Sequence, residues 1–236
     1  MKTIRASIFV PVFNEEKILK ENVLKLEDEI KKITKDYEIF IVDDSSSDRT
    51  PQISKELSNS KIKYLRFENG PSRRENLAEA MKNATKDIIV FIDVDLSADL
   101  KHLKELIENT EDYDISIGSR YMGVKAKRTF FRRGISIIYN NTQKILFNSK
   151  VKDHQCGFKA FKKNVILDLI KDAGYEEKFI RGWFWDAEIL IRAQKKGYTI
   201  KEFPVEWERG KDSSFQFKRE IKMIIYWFKL KNKIKD

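Results

Sequence analysis

Cysteine, histidine and long apolar runs are what this 236-residue chain has least of. Cys156 is its single cysteine, so an intrachain disulfide is excluded and a reducing, cytosolic setting is expected. Cys156 itself reads as a small packing residue. Of only two histidines, His154 sits beside Asp153, but with no second histidine nearby it reads as structural or exposed rather than as a metal ligand or base. No apolar run approaches the ~20 residues that span a bilayer. Met1–Val12 has no secretory apolar region before Asn14-Glu15-Glu16, so no leader is expected. With four prolines, nine glycines and no repeat or low-complexity tract, one compact unit is expected. Acid is missing locally as well: Arg120 to Lys152 contains no Asp or Glu.

The formal net charge is +10, which calls for an anionic partner: a nucleotide, a nucleic acid or an acidic lipid surface. Apolar residues make up 41% of the chain, enough for one sizeable α/β core. Strands are expected at Ile4–Val12, Tyr37–Val42, Ile62–Phe67, Ile88–Ile92 and Ile115–Gly118. Helices are expected from Asn14 as N-cap to near Lys35, from Thr50 as N-cap with Pro51 following, over Asn76–Ala84 and over Leu100–Ile107. Strands alternating with helices on short loops predict βαβ units and a mostly parallel sheet flanked by helices. Ligands bind such sheets beyond the carboxyl ends of the strands.

Acids gather at those ends. Glu15 and Glu16 follow the first strand, Asp43 and Asp44 the second, and Asp93-Val94-Asp95 the fourth. Any one pair reads as turn or cap residues. Three groups on one edge repel each other unless a cation or a ligand compensates, which favours a site. Two carboxylates one residue apart suit Mg²⁺ or Mn²⁺ bridging to nucleotide phosphates.

The second half is basic and apolar in alternation. Ile135, Ile138, Ile145 and Leu146 fit one helical face among Arg132, Arg133, Lys144 and Lys150. Near the C-terminus Phe217, Ile221, Ile224, Ile225 and Phe228 recur at helical spacing, widened by Met223, Tyr226 and Trp227 and flanked by lysines. Such basic amphipathic helices either pack on their own domain or lie in a bilayer interface, and two of them favour a membrane surface.

The segments Val10-Pro11-Val12-Phe13-Asn14-Glu15-Glu16, Val42-Asp43-Asp44-Ser45-Ser46-Ser47-Asp48-Arg49-Thr50, Asp93-Val94-Asp95-Leu96 and Gly118-Ser119-Arg120-Tyr121 resemble family 2 of the glycosyltransferases, with the GT-A fold. Asp153-His154-Gln155-Cys156-Gly157-Phe158-Lys159-Ala160-Phe161, Phe184-Trp185-Asp186-Ala187-Glu188-Ile189-Leu190 and Pro204-Val205-Glu206-Trp207-Glu208-Arg209-Gly210 look like the subgroup acting on polyprenyl phosphates, the dolichyl-phosphate mannose and glucose synthases. The resemblance covers roughly residues 4–214. It implies a GT-A, Rossmann-like domain over 1–214, its nucleotide-sugar half at 1–119 and its acceptor half at 120–214, with a basic amphipathic helix over 215–236.

The resemblance also implies roles. Pro11, Phe13, Glu15, Val42, Asp44 and Val94 would line the nucleotide-sugar site, with Asp43 beside it. Asp93 and Asp95 would hold Mg²⁺ or Mn²⁺ on the diphosphate. Arg120, Arg133 and Arg209 would neutralise donor and acceptor phosphates, with Arg132 and Ser213 as neighbours. Asp186 matches the position of an acceptor base. Implied partners are a UDP-glucose or GDP-mannose type donor, a polyprenyl (dolichyl) phosphate acceptor and a membrane surface, with a membrane-protein partner possible and no nucleic acid. The implied place is cytoplasmic, peripheral on the cytosolic membrane face. The chain departs from the family at Gly70-Pro71-Ser72-Arg73-Arg74-Glu75-Asn76, where relatives carry a Gly-Lys-Gly-like run, and at Ser97, where they often have Gln or Glu. Rival readings are a family 2 enzyme acting on a soluble glycan or protein hydroxyl, and a receiver-like signalling module with an acidic pocket.

Overall fold

The computed structural model describes residues 3–71, 73–122, 140–176, 181–182, 184–208 and 226–234. Strands β1 (Arg5–Val12), β2 (Asp36–Asp44), β3 (Ile62–Phe67), β4 (Ile88–Ile92) and β5 (Ile115–Ser119) fall where the apolar runs predict them. Between them lie α1 (Leu19–Ile33), α2 (Thr50–Leu57), α3 (Arg74–Met81) and α4 (Leu103–Glu108). The second half adds α5 (140–147), β6 (Phe158–Lys162), α6 (Lys163–Ala173), α7 (Phe184–Lys195), β7 (Ile200–Pro204) and α8 (226–233).

One seven-stranded sheet runs in the order β3-β2-β1-β4-β6-β5-β7. All neighbours pair in parallel except β6, which is antiparallel to both β4 and β5. Strand β1 is buried along nearly its whole length because both faces are covered, which is why it reads as a continuous apolar run. One face packs Ile8, Val10, Ile39 and Ile41 beneath α1 and α4. The other packs Phe9, Phe40, Phe91 and Phe161 beneath α3, α6 and α7.

Two expected helix starts are corrected. Asn14 does not cap α1, which begins at Leu19. It lies in the left-handed region at φ 55°, and its side-chain oxygen accepts from the Ser47 backbone N–H at 2.8 Å. Thr50 is the first residue of α2 rather than its cap, and its hydroxyl accepts from the Glu15 N–H at 2.8 Å. Both residues stitch the loop after β1 to the loop after β2, a long-range pairing that local spacing does not encode.

The basic segments also differ from expectation. In α5 the buried face carries Asn140, Gln143 and Phe147, whereas Ile145 is 82% exposed. Ile135, Ile138, Phe217, Ile221, Met223, Ile224 and Ile225 lie outside the described residues. In α8, Tyr226, Trp227, Leu230 and Ile234 are buried against Phe184, Ala187 and Ile191 of α7, and Phe228 faces out. The described part of the C-terminal helix therefore docks on its own domain. Its Tyr226 hydroxyl donates to Glu188 at 3.0 Å. Glu188 also pairs with Arg181 at 3.2 Å and Arg192 at 2.8 Å, and Arg181 donates to Glu75 of α3 at 2.8 Å. A fully buried guanidinium is tolerable only with such partners, and the network ties α8, α7 and α3 together.

His154 is structural, as its isolation suggests. Its ring lies between the Ser149 hydroxyl at 2.8 Å and the Asn140 side-chain oxygen at 3.0 Å. Burial drives its pKa down from 6.5 to about 4. A folded-state value below the unfolded one means the unfolded chain takes the proton first. The stability involved is complete above about pH 6.5 and is lost as the pH falls through about 4. Urea denaturation between these limits should show a loss of roughly 3 kcal/mol that His154→Gln removes.

Candidate active site

The site forms where β1, β2 and β4 end and β6 begins. At the rim, Pro11 pairs in register with Val42, which is buried, and Phe13 is 41% exposed. Glu15 stands in the stitched loop, its carbonyl accepting from Ile18 and Leu19. Asp43 is fully buried: it accepts from the Ser46 N–H at 2.9 Å, the Tyr64 hydroxyl at 2.7 Å and Arg66 at 2.8 Å. It braces the turn, beside the rim rather than on it.

Asp44 turns to α3 instead. One of its oxygens accepts from the Arg73 N–H at 3.0 Å and the other from the Asn76 amide at 2.5 Å. A carboxylate at a helix N-terminus satisfies free N–H groups and opposes the positive end of the helix dipole. Gly70 permits this approach, since a Cβ there would lie 2.3 Å from the Asp44 carbonyl oxygen. The Gly70–Asn76 departure from the family pattern is thus built around Asp44, and it sets Arg74 at the first position of α3.

The centre holds three carboxylates and two cations. Asp93 follows β4, with its N–H donating to the Gly157 carbonyl at 3.1 Å. Gly157 lies against Asp93: a Cβ there would lie 1.8 Å from an Asp93 carboxylate oxygen, so any side chain at 157 would push that carboxylate aside. Val94 is buried, and its carbonyl accepts from Asn22 of α1 at 2.9 Å. Asp95 is oriented by Ser97, which donates its N–H at 3.1 Å and its hydroxyl at 2.6 Å, one to each carboxylate oxygen. Asp186, in the first turn of α7, accepts from Lys159 at 3.0 Å. Arg74 lies between Asp93 at 3.5 Å and Asp186 at 3.3 Å, over the Phe91 ring. Partial enclosure by the cleft raises the Asp93 pKa, although 43% of its side chain stays exposed. Asp95 and Asp186 add to the rise, and Arg74 and Lys159 oppose it.

Arg120 stands apart from this cluster in its pairing. It grips Asp153 through two side-chain contacts of 2.6 Å, and its guanidinium lies 5.6 Å from the Trp207 ring centre. Arg132, Arg133, Arg209 and Ser213 lie outside the described residues. Arg74 is one of the two arginines, with Arg73, that stand where the family pattern has its lysine, whereas Lys159 was not expected in the site. Lys159 lay within a quoted motif without a role, and its only signal was a charged residue inside an otherwise apolar stretch.

Asp93 and Asp95 present hard oxygen donors on one turn. Among the described residues no group of three or more His, Cys, Asp or Glu could hold a metal ion. Two carboxylates fit Mg²⁺ or Mn²⁺ that takes its remaining ligands from water and substrate phosphate, and do not make an all-protein cage.

A family model described as Glycosyl transferase family 2 matches residues 7–170. The chain belongs to glycosyltransferase family 2. Glycosyltransferase AglD of Haloferax volcanii is 32% identical over 225 residues, which are 92% of this chain and 35% of that protein. Dolichyl-phosphate beta-glucosyltransferase ALG5A of Trichomonas vaginalis is 29% identical over 238 residues, covering 94% of this chain and 71% of that one. The chain thus spans about a third of the first relative's length. Among solved structures, glucosyl-3-phosphoglycerate synthase from Mycobacterium tuberculosis with UDP aligns at TM-score 0.69 and 16% identity, over 97% of this chain and 80% of that one. The same enzyme with Mn²⁺, UDP and phosphoglyceric acid aligns at 0.70 and 14%, over 96% and 78%. These likenesses show the GT-A-like fold. The receiver-like reading is set aside by the family match.

A side chain at 157 would displace the Asp93 carboxylate. Gly157→Ala should displace the Asp93 carboxylate and lower glycosyl transfer about 100-fold, because misplacing a reacting group by ~1 Å costs that much. Unchanged circular dichroism alongside the lost turnover would locate the defect at the site.

Proposed function

We propose that this chain transfers a hexose, with inversion, from a nucleotide diphosphate-sugar to a polyprenyl phosphate at the cytosolic face of a membrane. The observation that carries the reading is the engaged state of Asp186, whose oxygens face Lys159 at 3.0 Å and Arg74 at 3.3 Å. A carboxylate so paired is placed to orient a neighbour rather than to serve as a proton acceptor. A phosphate monoester acceptor needs none, being largely dianionic at pH 7 with its second pKa near ~6. It needs orientation by cations. The dolichyl-phosphate beta-glucosyltransferases among the relatives support this acceptor class.

The chain's own residues divide the work. The stitched loops after β1 and β2, with Pro11, Phe13, Glu15 and Val42, receive the nucleoside. Asp93 and Asp95 would hold the divalent ion, which when bound stabilises the charge developing on the diphosphate as the C1–O bond breaks. Lys159 holds Asp186 in place beside the reacting centre, with the Arg74 charge nearby. Arg120, Arg132, Arg133, Arg209 and Ser213 serve the acceptor and donor phosphates. No helix among the described residues is long and apolar enough to cross a membrane. The basic residues of 120–152 and of the C-terminal segment would bring the domain to an anionic lipid surface.

The test is a two-phase assay with Mg²⁺ or Mn²⁺, a short polyprenyl phosphate in detergent and labelled UDP- and GDP-sugars. Label should enter the organic phase with one donor. Asp95→Asn should lose about 100-fold or more in turnover, and Asp186→Asn should lose about tenfold or less. Equal losses in the two variants would make Asp186 a true base. Label that stays aqueous with every donor would move the acceptor to a soluble glycan or protein hydroxyl.

A further inference from the structure

Arg74 is the loosest partner in the central cluster. Its Nε is buried and makes no hydrogen bond among the described residues, although Asp186 is 3.3 Å away. Its Nη2 reaches Asp93 only at 3.5 Å. A guanidinium has five directed donors. One that sits between two carboxylates at the outer limit of hydrogen bonding, with its face on Phe91, is held by charge rather than by geometry. Lys159 differs: it donates to both the Cys156 carbonyl and Asp186 and is 2% exposed, so it is fixed. The backbone beneath Arg74 is fixed too. Asp44 pins the Arg73 N–H and Asn76, and Arg181 pins Glu75. Within this turn, among the described residues, the Arg74 side chain is the one held loosely enough to change partners.

We propose that Arg74 is a resident counter-cation that holds Asp93 until a divalent ion takes that carboxylate, and then turns its guanidinium onto the donor diphosphate. The inference rests on the metal-dependent reading above. Asp93, Asp95 and Asp186 outnumber Arg74 and Lys159 by one charge, so the site favours a cation near Asp93. A dication on Asp93 and Asp95 reverses that balance and repels the guanidinium. The diphosphate arriving with it offers oxygens that a planar fork engages in pairs. Arg74 is thereby both a brake on metal binding without donor and a donor ligand once the metal is in place.

Mn²⁺ titration followed by electron paramagnetic resonance tests this on wild type, Arg74→Gln and Arg74→Lys, without nucleotide and with UDP or GDP. Without nucleotide, Arg74→Gln should bind Mn²⁺ roughly threefold to tenfold more tightly than wild type, and Arg74→Lys should stay within about twofold of it. With Mn²⁺ saturating, Arg74→Gln should bind the nucleoside diphosphate roughly tenfold more weakly. Wild-type Mn²⁺ affinity in a folded Arg74→Gln protein overturns the inference and leaves the metal reading standing. A wild type that binds no Mn²⁺ under any condition overturns both. If Arg74→Gln does not fold, the arginine Nε–H resonances of wild type decide: one should move when Mg²⁺ is added and again with the nucleotide, and a spectrum indifferent to Mg²⁺ overturns the proposal.

Discussion

Three carboxylates at one sheet edge can share a site only because two cations stand among them. Asp93, Asp95 and Asp186 come from two separate elements, the turn after β4 and the start of α7, and Lys159 enters from a third, β6. Because β6 runs antiparallel between β4 and β5, its first residues lie at the carboxyl edge of the parallel strands. Gly157 can then lie against Asp93 while Lys159, two residues on, meets Asp186. A parallel strand in that place would present its other end. The one reversed strand is therefore what delivers a buried amine to an acidic cleft.

The parallel half was legible in the sequence for a simple reason. Strands covered on both faces are uninterrupted apolar runs, and their acidic ends mark the edge where ligands bind. What was not legible depends on distant partners. Asn14 has the composition of a helix cap, but its oxygen is used by Ser47, more than thirty positions away. The β6 segment Phe158-Lys159-Ala160-Phe161-Lys162 hides its strand character because Lys159 points into the protein, which only the Asp186 charge makes tolerable. Likewise the C-terminal stripe put Phe228 on one apolar face with Tyr226 and Trp227, whereas Tyr226 and Trp227 are buried with Leu230 and Ile234 and Phe228 is exposed. The Asp93-Val94-Asp95 pair was visible and Arg74 stood in a segment already marked, yet the buried Lys159 beside Asp186 was not legible.

The same logic links the periphery to the centre. Arg181 joins Glu188, on which Tyr226 of α8 rests, to Glu75, the neighbour of Arg74. Asp44, the last residue of β2, fixes the other side of that turn. The atypical Gly70–Asn76 segment is thus held from the sheet by one carboxylate and from the C-terminal helix by an ion network. Its departure from the family pattern replaces a glycine-rich loop with an anchored arginine.

In the proposed reaction, the Asp93–Asp95 turn and the stitched loops beside it form the donor site of a metal-dependent transferase. A crystal structure grown with Mn²⁺ and UDP tests it most directly. The account predicts Mn²⁺ bound by an Asp93 or Asp95 carboxylate and by diphosphate oxygens, with the nucleoside between the loops that follow β1 and β2. Diphosphate bound elsewhere, or Mn²⁺ held by neither carboxylate, would contradict it.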